Sequence, residues 1–301
     1  MKVSVLICTF NRGNLIEKTL KSLIVNQTNK ADEIIVVNGG GLKNCEGVLQ
    51  SWSKKFSRLK IIRTKNINLA NSRNIGLEHC HGDLILLTDD DARPYPDWIE
   101  KIKKYHLKYP NSGLIGGDVI SEYNGSFLSK IADATTFPRY ESIRDVRTLP
   151  GVNSSFKMEV IKMVGKYDIS LSRGEDVDFN WRVLEAGWNI TYVPNIKVKH
   201  FHRDSWLKLC YQHYMYGRSY YLIRNKWKEM YSIYPHKVNS FKKFIKYLSS
   251  WTYTPMMDAF IKSKNFTKMK FLVIIVIFLI NMINRFGIFA QKNFYEKNKK
   301  Y

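Results

Sequence analysis

Short apolar runs alternate with helical patterns through the first hundred residues, and this order constrains the fold more than any other feature of the sequence. Each run is followed by polar or glycine-containing residues and favours a β-strand. The four runs are Val3–Phe10, Glu33–Val37, Leu59–Arg63 and Asp83–Leu87. Strand–helix alternation of this kind predicts an α/β fold with a parallel sheet and right-handed crossovers.

Further elements extend this pattern to about residue 204. Helices are predicted at Asp97–Tyr109 and Val177–Glu185, and strands at Ile115–Ile120 and Ile190–Lys199. The stretch Asp133–Leu149 has no clear periodicity, and we interpret it as a mobile loop. Residues 1–204 are therefore predicted to form one α/β domain, and residues 205–301 a separate helical region.

Ligands of open α/β sheets bind at the carboxyl ends of the strands. The acidic run Asp89-Asp90-Asp91 directly follows one of the predicted strands. Three adjacent carboxylates repel one another unless a cation or a set of hydrogen-bond donors compensates them. Their oxygen atoms suit Mn²⁺ or Mg²⁺, which can bridge to a diphosphate. A solvated acidic turn is the alternative, and the position after a buried strand favours the metal.

Two other motifs carry charges that could act on a substrate. Glu175 and Asp176 open a predicted helix, where the helix dipole favours carboxylates, so capping alone could explain either one. Capping does not explain the third acid, Asp178, together with the glycine that precedes the pair. The segment Asn68–Gly76 contains Arg73, which could face a phosphate or lie on a solvated helix face.

The positive charge of the chain is concentrated at its carboxy end. The net charge is +22, and residues 201–301 hold 19 Lys/Arg against four Asp/Glu. The same segment contains 24 of the 41 aromatic residues. Aromatic and basic residues together fit either nucleic acid or a lipid headgroup layer.

A nearly continuous apolar run favours the membrane. Phe271–Ile283 would be about 20 Å long as a helix, against about 30 Å of bilayer hydrocarbon. A longer, spanning helix would include Asn281, Asn284 and Arg285 on one face. Lysines flank both ends, whereas a spanning helix normally has them on the cytoplasmic side only. We therefore predict a helix lying in the plane of the membrane rather than a span, with a buried helix of a soluble domain as a further alternative. Residues 205–301 as a whole are predicted to be a basic, aromatic and helical membrane-association region.

The environment is predicted to be cytosolic. Four widely spaced cysteines form no C-x-x-C pair, which disfavours a disulfide framework or a zinc site. The amino terminus enters an apolar strand pattern directly, without the pattern of a signal peptide. The protein is expected at the cytoplasmic face of the membrane.

Six motifs taken together resemble the family-2 inverting glycosyltransferases. They are VSVLICTFNR, EIIVVN, NLANSRNIGL, GDLILLTDDD, GVNSSF and RGEDVDFNWR, and they cover residues 1–204. The resemblance implies the GT-A fold, a mixed and mainly parallel sheet that binds a nucleotide-sugar. Residues 200–219 are more loosely similar to the subset that acts on lipid-linked or cell-surface acceptors.

The resemblance also implies roles for individual residues near the donor. Asp91 matches the metal-binding position, and Asp89 and Asp90 match the ribose side and the metal shell. Thr9 and Arg12 border the nucleotide, whereas Asn38 stands where the family usually has an aspartate near the base. The remaining donor-side positions are Arg73, near the diphosphate or the adjoining carboxylates, and His200 or His202 as a further metal or diphosphate ligand.

The catalytic and acceptor positions follow in the same way. Asp176 matches the general base and Glu175 its acidic neighbour. Gly151, Asn153 and Trp181 match the acceptor side. The resemblance implies direct displacement, with inversion, of a nucleoside diphosphate by the hydroxyl of a glycan or lipid-linked acceptor.

Two other functions fit parts of the sequence. A sugar-phosphate nucleotidyltransferase also uses an α/β sheet and acidic metal ligands, but the Gly39–Gly41 run does not belong to the glycine- and lysine-rich phosphate loop that such enzymes generally need early in the chain. A basic nucleic-acid-binding protein would account for the charge. The location of that charge beside an apolar run makes an anionic membrane, and not nucleic acid, the expected partner.

Overall fold

The computed structural model describes residues 1–41, 43–122, 126–201, 205–230, 239–266 and 269–298. Within these residues the chain divides into two compact units. The first comprises residues 1–122 and 137–201. The second comprises the described residues of 123–136 and of 202–301.

The first unit is built on a single mixed sheet of nine described strands. These are β1 (Val3–Thr9), β2 (Glu33–Asn38), β3 (Leu59–Arg63), β4 (Leu84–Asp89), β5 (Ala92–Pro94), β6 (Ser112–Ser121), β7 (Arg144–Asp145), β8 (Ser154–Lys157) and β9 (Asn189–His200). Their order is β3-β2-β1-β4-β8-β6-β9-β5, with β7 paired to β9. The strands β3, β2, β1 and β4 are parallel, β8 is antiparallel to both of its neighbours, and β6 and β9 are parallel. The predicted α/β fold class is confirmed.

Eleven α-helices lie within the described residues. Those of the first unit are α1 (Gly13–Ile24), α2 (Lys43–Lys55), α3 (Leu69–Leu77), α4 (Trp98–Lys108), α6 (Met158–Val164) and α7 (Glu175–Glu185). Those of the second unit are α5 (Phe127–Thr136), α8 (Trp206–Lys226), α9 (Phe241–Trp251), α10 (Tyr253–Lys262) and α11 (Lys270–Asn298).

Alternating residues of the central strands supply two apolar layers, one on each face of the sheet. Val5 and Ile7 of β1 lie in the layer that also contains the buried residues of α1 and α4. Leu6 lies in the opposite layer with residues of α3, α6 and α7. This alternation is the two-residue period of a strand buried on both faces. The carboxyl ends of β1, β2 and β4 are thereby held at one edge.

Part of the segment Asp133–Leu149 has regular structure, so its prediction as a mobile loop is wrong for those residues. Its first residues complete α5, and Arg144–Asp145 pair with β9 as β7. The Arg144 guanidinium lies over the Tyr140 ring at 4.8 Å. Because β7 pairs with residues of β9 that are distant in sequence, no local periodicity predicts this strand.

The second unit has its own small apolar cluster. Ile131 of α5, Leu209 of α8 and Ala259 of α10 pack there with buried residues of α11. Helix α11 is longer than the apolar run from which it was predicted. Within its segment Lys270–Glu296 an 18-residue stretch has a mean hydropathy of 2.3, and the segment is long and apolar enough to cross a membrane, judged by length and composition.

Candidate active site

The acidic run lies at the carboxyl end of β4, as the sequence predicts. The last residue of that strand is Asp89, and β5 begins at Ala92, directly after Asp91. Because β5 pairs with the end of β9, Ala92 is opposite His200. Ligand atoms of Asp89, Asp91 and His200 all lie within 4.8 Å of one another. Two carboxylates and one imidazole within this distance can hold a divalent cation.

Asp90 points away from this group of three ligands. Its carboxylate accepts hydrogen bonds from Thr9 Oγ1 at 2.7 Å and from Arg12 Nη1 at 2.9 Å. Burial raises the pKa of Asp90 to about 6, although the Arg12 charge favours the ionised form. Arg12 also donates to Asp91 Oδ2 at 2.8 Å. The structure therefore brings Thr9, Arg12 and Asp90 together as the link between the β1 loop and the acidic run, with Asp90 outside the three candidate ligands.

His200 is fixed from two sides. Its Nε2 atom lies 3.2 Å from Asp91 Oδ1, and the Phe137 ring packs against the imidazole edge at a centroid distance of 5.3 Å. The alternative ligand, His202, lies outside the described residues.

Arg73 joins the acidic run to the start of α7. Its Nη1 donates to Glu175 Oε1 at 2.7 Å, and its Nη2 lies 3.8 Å from Asp89 Oδ1. The guanidinium lies over the Tyr167 ring at 5.4 Å and is only 4% exposed. Burial opposes the charge on Arg73, but Glu175 and Asp89 outweigh it and raise its pKa. Arg73 therefore contacts a carboxylate of each acidic motif, and its role in the reaction stays a prediction.

Glu175 and Asp176 occupy different environments at the first turn of α7. Glu175 is 4% exposed, and burial raises its pKa to about 7 in spite of the Arg73 charge. Asp176 is less buried, and its carboxylate accepts from the Gly151 N–H at 3.3 Å and from the Val177 N–H at 2.8 Å. Asp176 is therefore the more accessible of the two carboxylates.

The third acid of this helix has a structural partner. Asp178 is fully buried, and its carboxylate accepts from Arg182 Nε at 3.1 Å. Arg182 also donates to the carbonyl oxygens that follow α6, including Lys166 O at 2.9 Å. The pair anchors α7 and leaves the two preceding carboxylates to face the site.

Of the three residues expected on the acceptor side, Asn153 is placed otherwise. It has no exposed surface; its Oδ1 accepts from Trp98 Nε1 at 2.8 Å and its Nδ2 donates to two main-chain carbonyl oxygens. An acceptor cannot reach it, because both ends of the amide are used inside the core. Gly151 has no room for a side chain, since a Cβ there would lie 2.2 Å from Arg73 Nη2. Trp181 is partly exposed on α7.

Asn38 lies beside Thr9 at the ends of β2 and β1. It is buried, with Nδ2 donating to Glu46 Oε2 at 3.2 Å and Oδ1 accepting from the Gly40 N–H at 3.1 Å. Sequence reasoning did not find Glu46 or the Tyr167 ring beneath Arg73. Both are single residues without a motif, and only the tertiary pairing brings them to the site.

Comparison with known proteins gives two family matches. Residues 4–161 match the model for glycosyl transferase family 2, and residues 84–285 match that for glycosyl transferase family group 2. The first of these covers more than half of the chain, including the acidic run, Arg12 and Arg73.

Curated relatives carry glycosyltransferase names. The chain is 26% identical to glycosyltransferase AglE of Haloferax volcanii, over 64% of this chain and 65% of that protein. It is 29% identical to the glucosyl-dolichyl phosphate glucuronosyltransferase of the same organism, over 58% and 59% of the two chains. A cholesterol galactosyltransferase of Borreliella burgdorferi is 36% identical over 46% of this chain and 38% of that protein. The matched region is less than two thirds of each relative's length.

Solved structures with the same fold are also similar to this chain. A mannosyltransferase from Pyrobaculum calidifontis, in complex with GDP-Man and Mn²⁺, superposes with a TM-score of 0.60 at 16% identity, over 92% of this chain and 73% of that chain. GalNAc-T7 with UDP, GalNAc and Mn²⁺ gives 0.61 at 17% identity, over 78% and 49%. The predicted GT-A fold is confirmed by these likenesses. With the fold, the acidic group at its strand ends and the family match over residues 4–161, the chain belongs to glycosyl transferase family 2.

Proposed function

We propose that the protein transfers a sugar from a nucleoside-diphosphate sugar to a hydroxyl group of a glycan or lipid-linked acceptor, with inversion at the anomeric carbon. The observation that carries this proposal is that two clusters of acidic residues lie on either side of Arg73. The group Asp89, Asp91 and His200 lies on one side, and the Glu175–Asp176 pair lies on the other.

The donor-side chemistry follows from the ligand set. Asp89, Asp91 and His200 would hold a divalent cation, Mn²⁺ or Mg²⁺, which supplies charge neutralisation for the diphosphate. Of the two solved structures with the same fold, one is a complex with GDP-Man and Mn²⁺ and the other a complex with UDP, GalNAc and Mn²⁺. Burial raises the pKa of Asp89, with Asp91 adding to the shift, so the pair of carboxylates is poised to gain from a bound cation.

The acceptor-side chemistry assigns the general base to Asp176. Its carboxylate is oriented by two main-chain N–H groups, and it is more accessible than the neighbouring Glu175, which Arg73 engages. Asp176 would take the proton of the acceptor hydroxyl as that oxygen attacks the anomeric carbon. Arg73 would hold Glu175 and Asp89 in place and so link α7, which carries the proposed base Asp176, to the acidic run. One displacement converts an α-linked donor into a β-linked product.

The lipid-linked acceptor and the membrane location are proposed from the names of two relatives and from the composition of α11. Two relatives are named for lipid acceptors, glucosyl-dolichyl phosphate and cholesterol. A lipid-linked acceptor would require the enzyme at a membrane, and the apolar, lysine-flanked α11 supports a position at the cytoplasmic face.

The test is a donor panel assayed with purified protein, Mn²⁺ and lipid acceptors, measuring release of the nucleoside diphosphate. The anomeric configuration of the product is read from its proton–proton coupling by NMR. Transfer with a β-linked product from an α-linked donor supports the proposal. A retained configuration would contradict the direct displacement, and nucleotidyl transfer instead of sugar transfer would contradict the function.

A further inference from the structure

Helix α9 exposes the side chains that a soluble protein would bury. Phe241, Phe244, Ile245 and Leu248 recur at the spacing of one helical face, and they are 78%, 47%, 47% and 49% exposed. In a surface helix of a soluble protein, such a stripe faces the core. Here the buried residue is Ser250, on a different face. The apolar face of α9 has no partner among the described residues.

Helix α10 repeats the arrangement. Its exposed apolar residues also lie along one face, and its inner face is formed by Pro255 and Ala259. The exposed residues are Tyr253, Met256, Met257, Phe260 and Ile261. Two consecutive helices therefore carry an apolar stripe on the outside.

Helix α11 turns its polar groups inward, against its neighbours. Asn281 Nδ2 donates to Pro255 O and to Asp258 Oδ2, both at 3.0 Å, and Asn284 Nδ2 donates to His213 O at 3.2 Å. Its exposed large apolar residues are Phe271, Leu272, Ile275, Leu279, Phe286, Phe289 and Phe294, and its exposed polar residues, Lys270, Lys292, Asn293 and Glu296, lie toward the two ends of the helix. Hydrogen bonds inside and apolar side chains outside are the arrangement of a protein in contact with lipid.

The charge pattern of α9 indicates which partner covers its apolar stripe. Lys242, Lys243 and Lys246 lie on the flank of α9 away from its apolar stripe, and all three are exposed. A helix with this combination binds in the interface of an anionic membrane. A second copy of the chain would cover the same stripe only by bringing two strongly basic segments together, because residues 201–301 hold 19 Lys/Arg against four Asp/Glu.

We propose that α9 and α10 form a bilayer-docking surface, which inserts its two apolar stripes at the acyl boundary of an anionic membrane alongside α11. This inference deepens the membrane location included in the proposed function and rests on it. It assigns to the apolar faces of two particular helices a membrane association that the sequence predicts only for residues 205–301 as a whole.

The test uses full-length protein and flotation with two kinds of vesicle, phosphatidylcholine alone and phosphatidylcholine with phosphatidylglycerol. Phe244→Glu/Leu248→Glu should lower the partition coefficient about tenfold or more on both, because two large side chains leave the acyl boundary. Lys242→Gln/Lys243→Gln/Lys246→Gln should weaken binding on the anionic vesicles only. Leu107→Glu, on α4 and 72% exposed, is the matched control and should bind like the wild type.

The outcomes separate this inference from the proposed function. Wild-type binding by the Phe244→Glu/Leu248→Glu variant overturns the docking surface, even if α11 still holds the protein on vesicles. Sugar transfer is assayed separately with a short-chain acceptor in the absence of vesicles, so its loss or retention bears on the transferase alone. Sedimentation velocity without lipid gives the oligomeric state of the wild type and of the same variant. A wild-type dimer that the substitution dissociates would show that a second copy of the chain, and not the bilayer, covers the apolar stripe. The lysine variant keeps the proposal falsifiable if the glutamate variant fails to fold.

Discussion

Asp89, Asp90 and Asp91 carry the same side chain but make different contacts. Asp89 and Asp91 lie with His200, whereas Asp90 is tied to Thr9 and Arg12. Asp89 is the last residue of β4, whereas Asp90 and Asp91 form the turn between β4 and β5, and this change of backbone direction sends the three carboxylates to different partners. The first and third carboxylates are therefore the candidate cation ligands, and the middle one secures the loop after β1.

Removing one of the two facing carboxylates should remove the cation. We expect Asp91→Asn to abolish most Mn²⁺ binding, because a neutral amide replaces one of two charged ligands. Mn²⁺ titration followed by electron paramagnetic resonance measures this directly. Asp97→Asn, at the half-buried start of α4, is the control. Full transfer activity in excess EDTA would contradict the metal assignment.

Asp176 and Glu175 differ enough in environment for substitution to distinguish them. Asp176→Asn should lower turnover roughly 10²-fold or more, the usual scale for a lost general base, with donor affinity close to that of the wild type. Steady-state kinetics and donor titration give the two values. Glu175→Gln should instead disturb Arg73, whose ion pair it breaks. Wild-type turnover in Asp176→Asn would move the base to another residue.

At the scale of elements, the parallel half of the sheet could be predicted from sequence. The strands β1, β2, β3 and β4 lie within a residue or two of their predicted bounds, because strands buried on both faces form short apolar runs. The short strands β5, β7 and β8 could not, since Ser154–Lys157 has no apolar pattern and is fixed by pairing with β4 and β6.

The candidate site divides in the same way. A charged motif after a buried strand is visible locally, and so the acidic run was found. The burial of Asn153, the ring of Tyr167 and the contact of Glu46 with Asn38 depend on packing between separate elements. Their residue types carry no signal of that packing.

A buried histidine makes the packing of α4 sensitive to acid. His106 is 2% exposed, with Nε2 2.9 Å from Ser155 Oγ, and burial lowers its pKa from 6.5 to about 3. Between these two pH values the unfolded chain binds a proton that the folded chain excludes. Stability from this residue is therefore complete above pH 6.5 and falls with decreasing pH, by at most about 1.4 kcal/mol per pH unit.

The measurement is the free energy of unfolding of the first unit at pH 7 and at pH 5, in the wild type and in His106→Gln. The variant should be less stable at pH 7, where it loses the packed ring, and should lose less stability between the two pH values. An equal loss in both proteins would contradict the assignment of acid sensitivity to His106.

At the scale of the whole molecule, the proposed sugar transfer and the proposed membrane attachment belong to different units. Every described residue of the candidate site belongs to the first unit, and the exposed apolar stripes belong to the second. Damage confined to the second unit should therefore leave donor binding intact. Its two longest helices offer a way to cause such damage without touching the apolar stripes.

Helices α8 and α11 approach each other at two glycines. A Cβ at Gly217 would lie 1.9 Å from Asn284 O, and one at Gly287 would lie 2.1 Å from Tyr214 O. These oxygens belong to the main chain, so they can move away only if the helices separate. Gly287→Ala should thus destabilise the second unit by about 1–3 kcal/mol, the usual cost of overpacking.

Gly47 is the matched control for this substitution. It also lies inside a helix, α2, but a Cβ there meets nothing within 4 Å. Helix propensity alone favours alanine over glycine by about 1 kcal/mol, so Gly47→Ala should stabilise its helix. Hydrogen exchange measured by mass spectrometry should show faster exchange in α8 and α11 of Gly287→Ala, with β1 and β4 unchanged. Because both substitutions add the same methyl group to a helix, opposite signs assign the difference to the helix crossing, and slower exchange in both variants would contradict it.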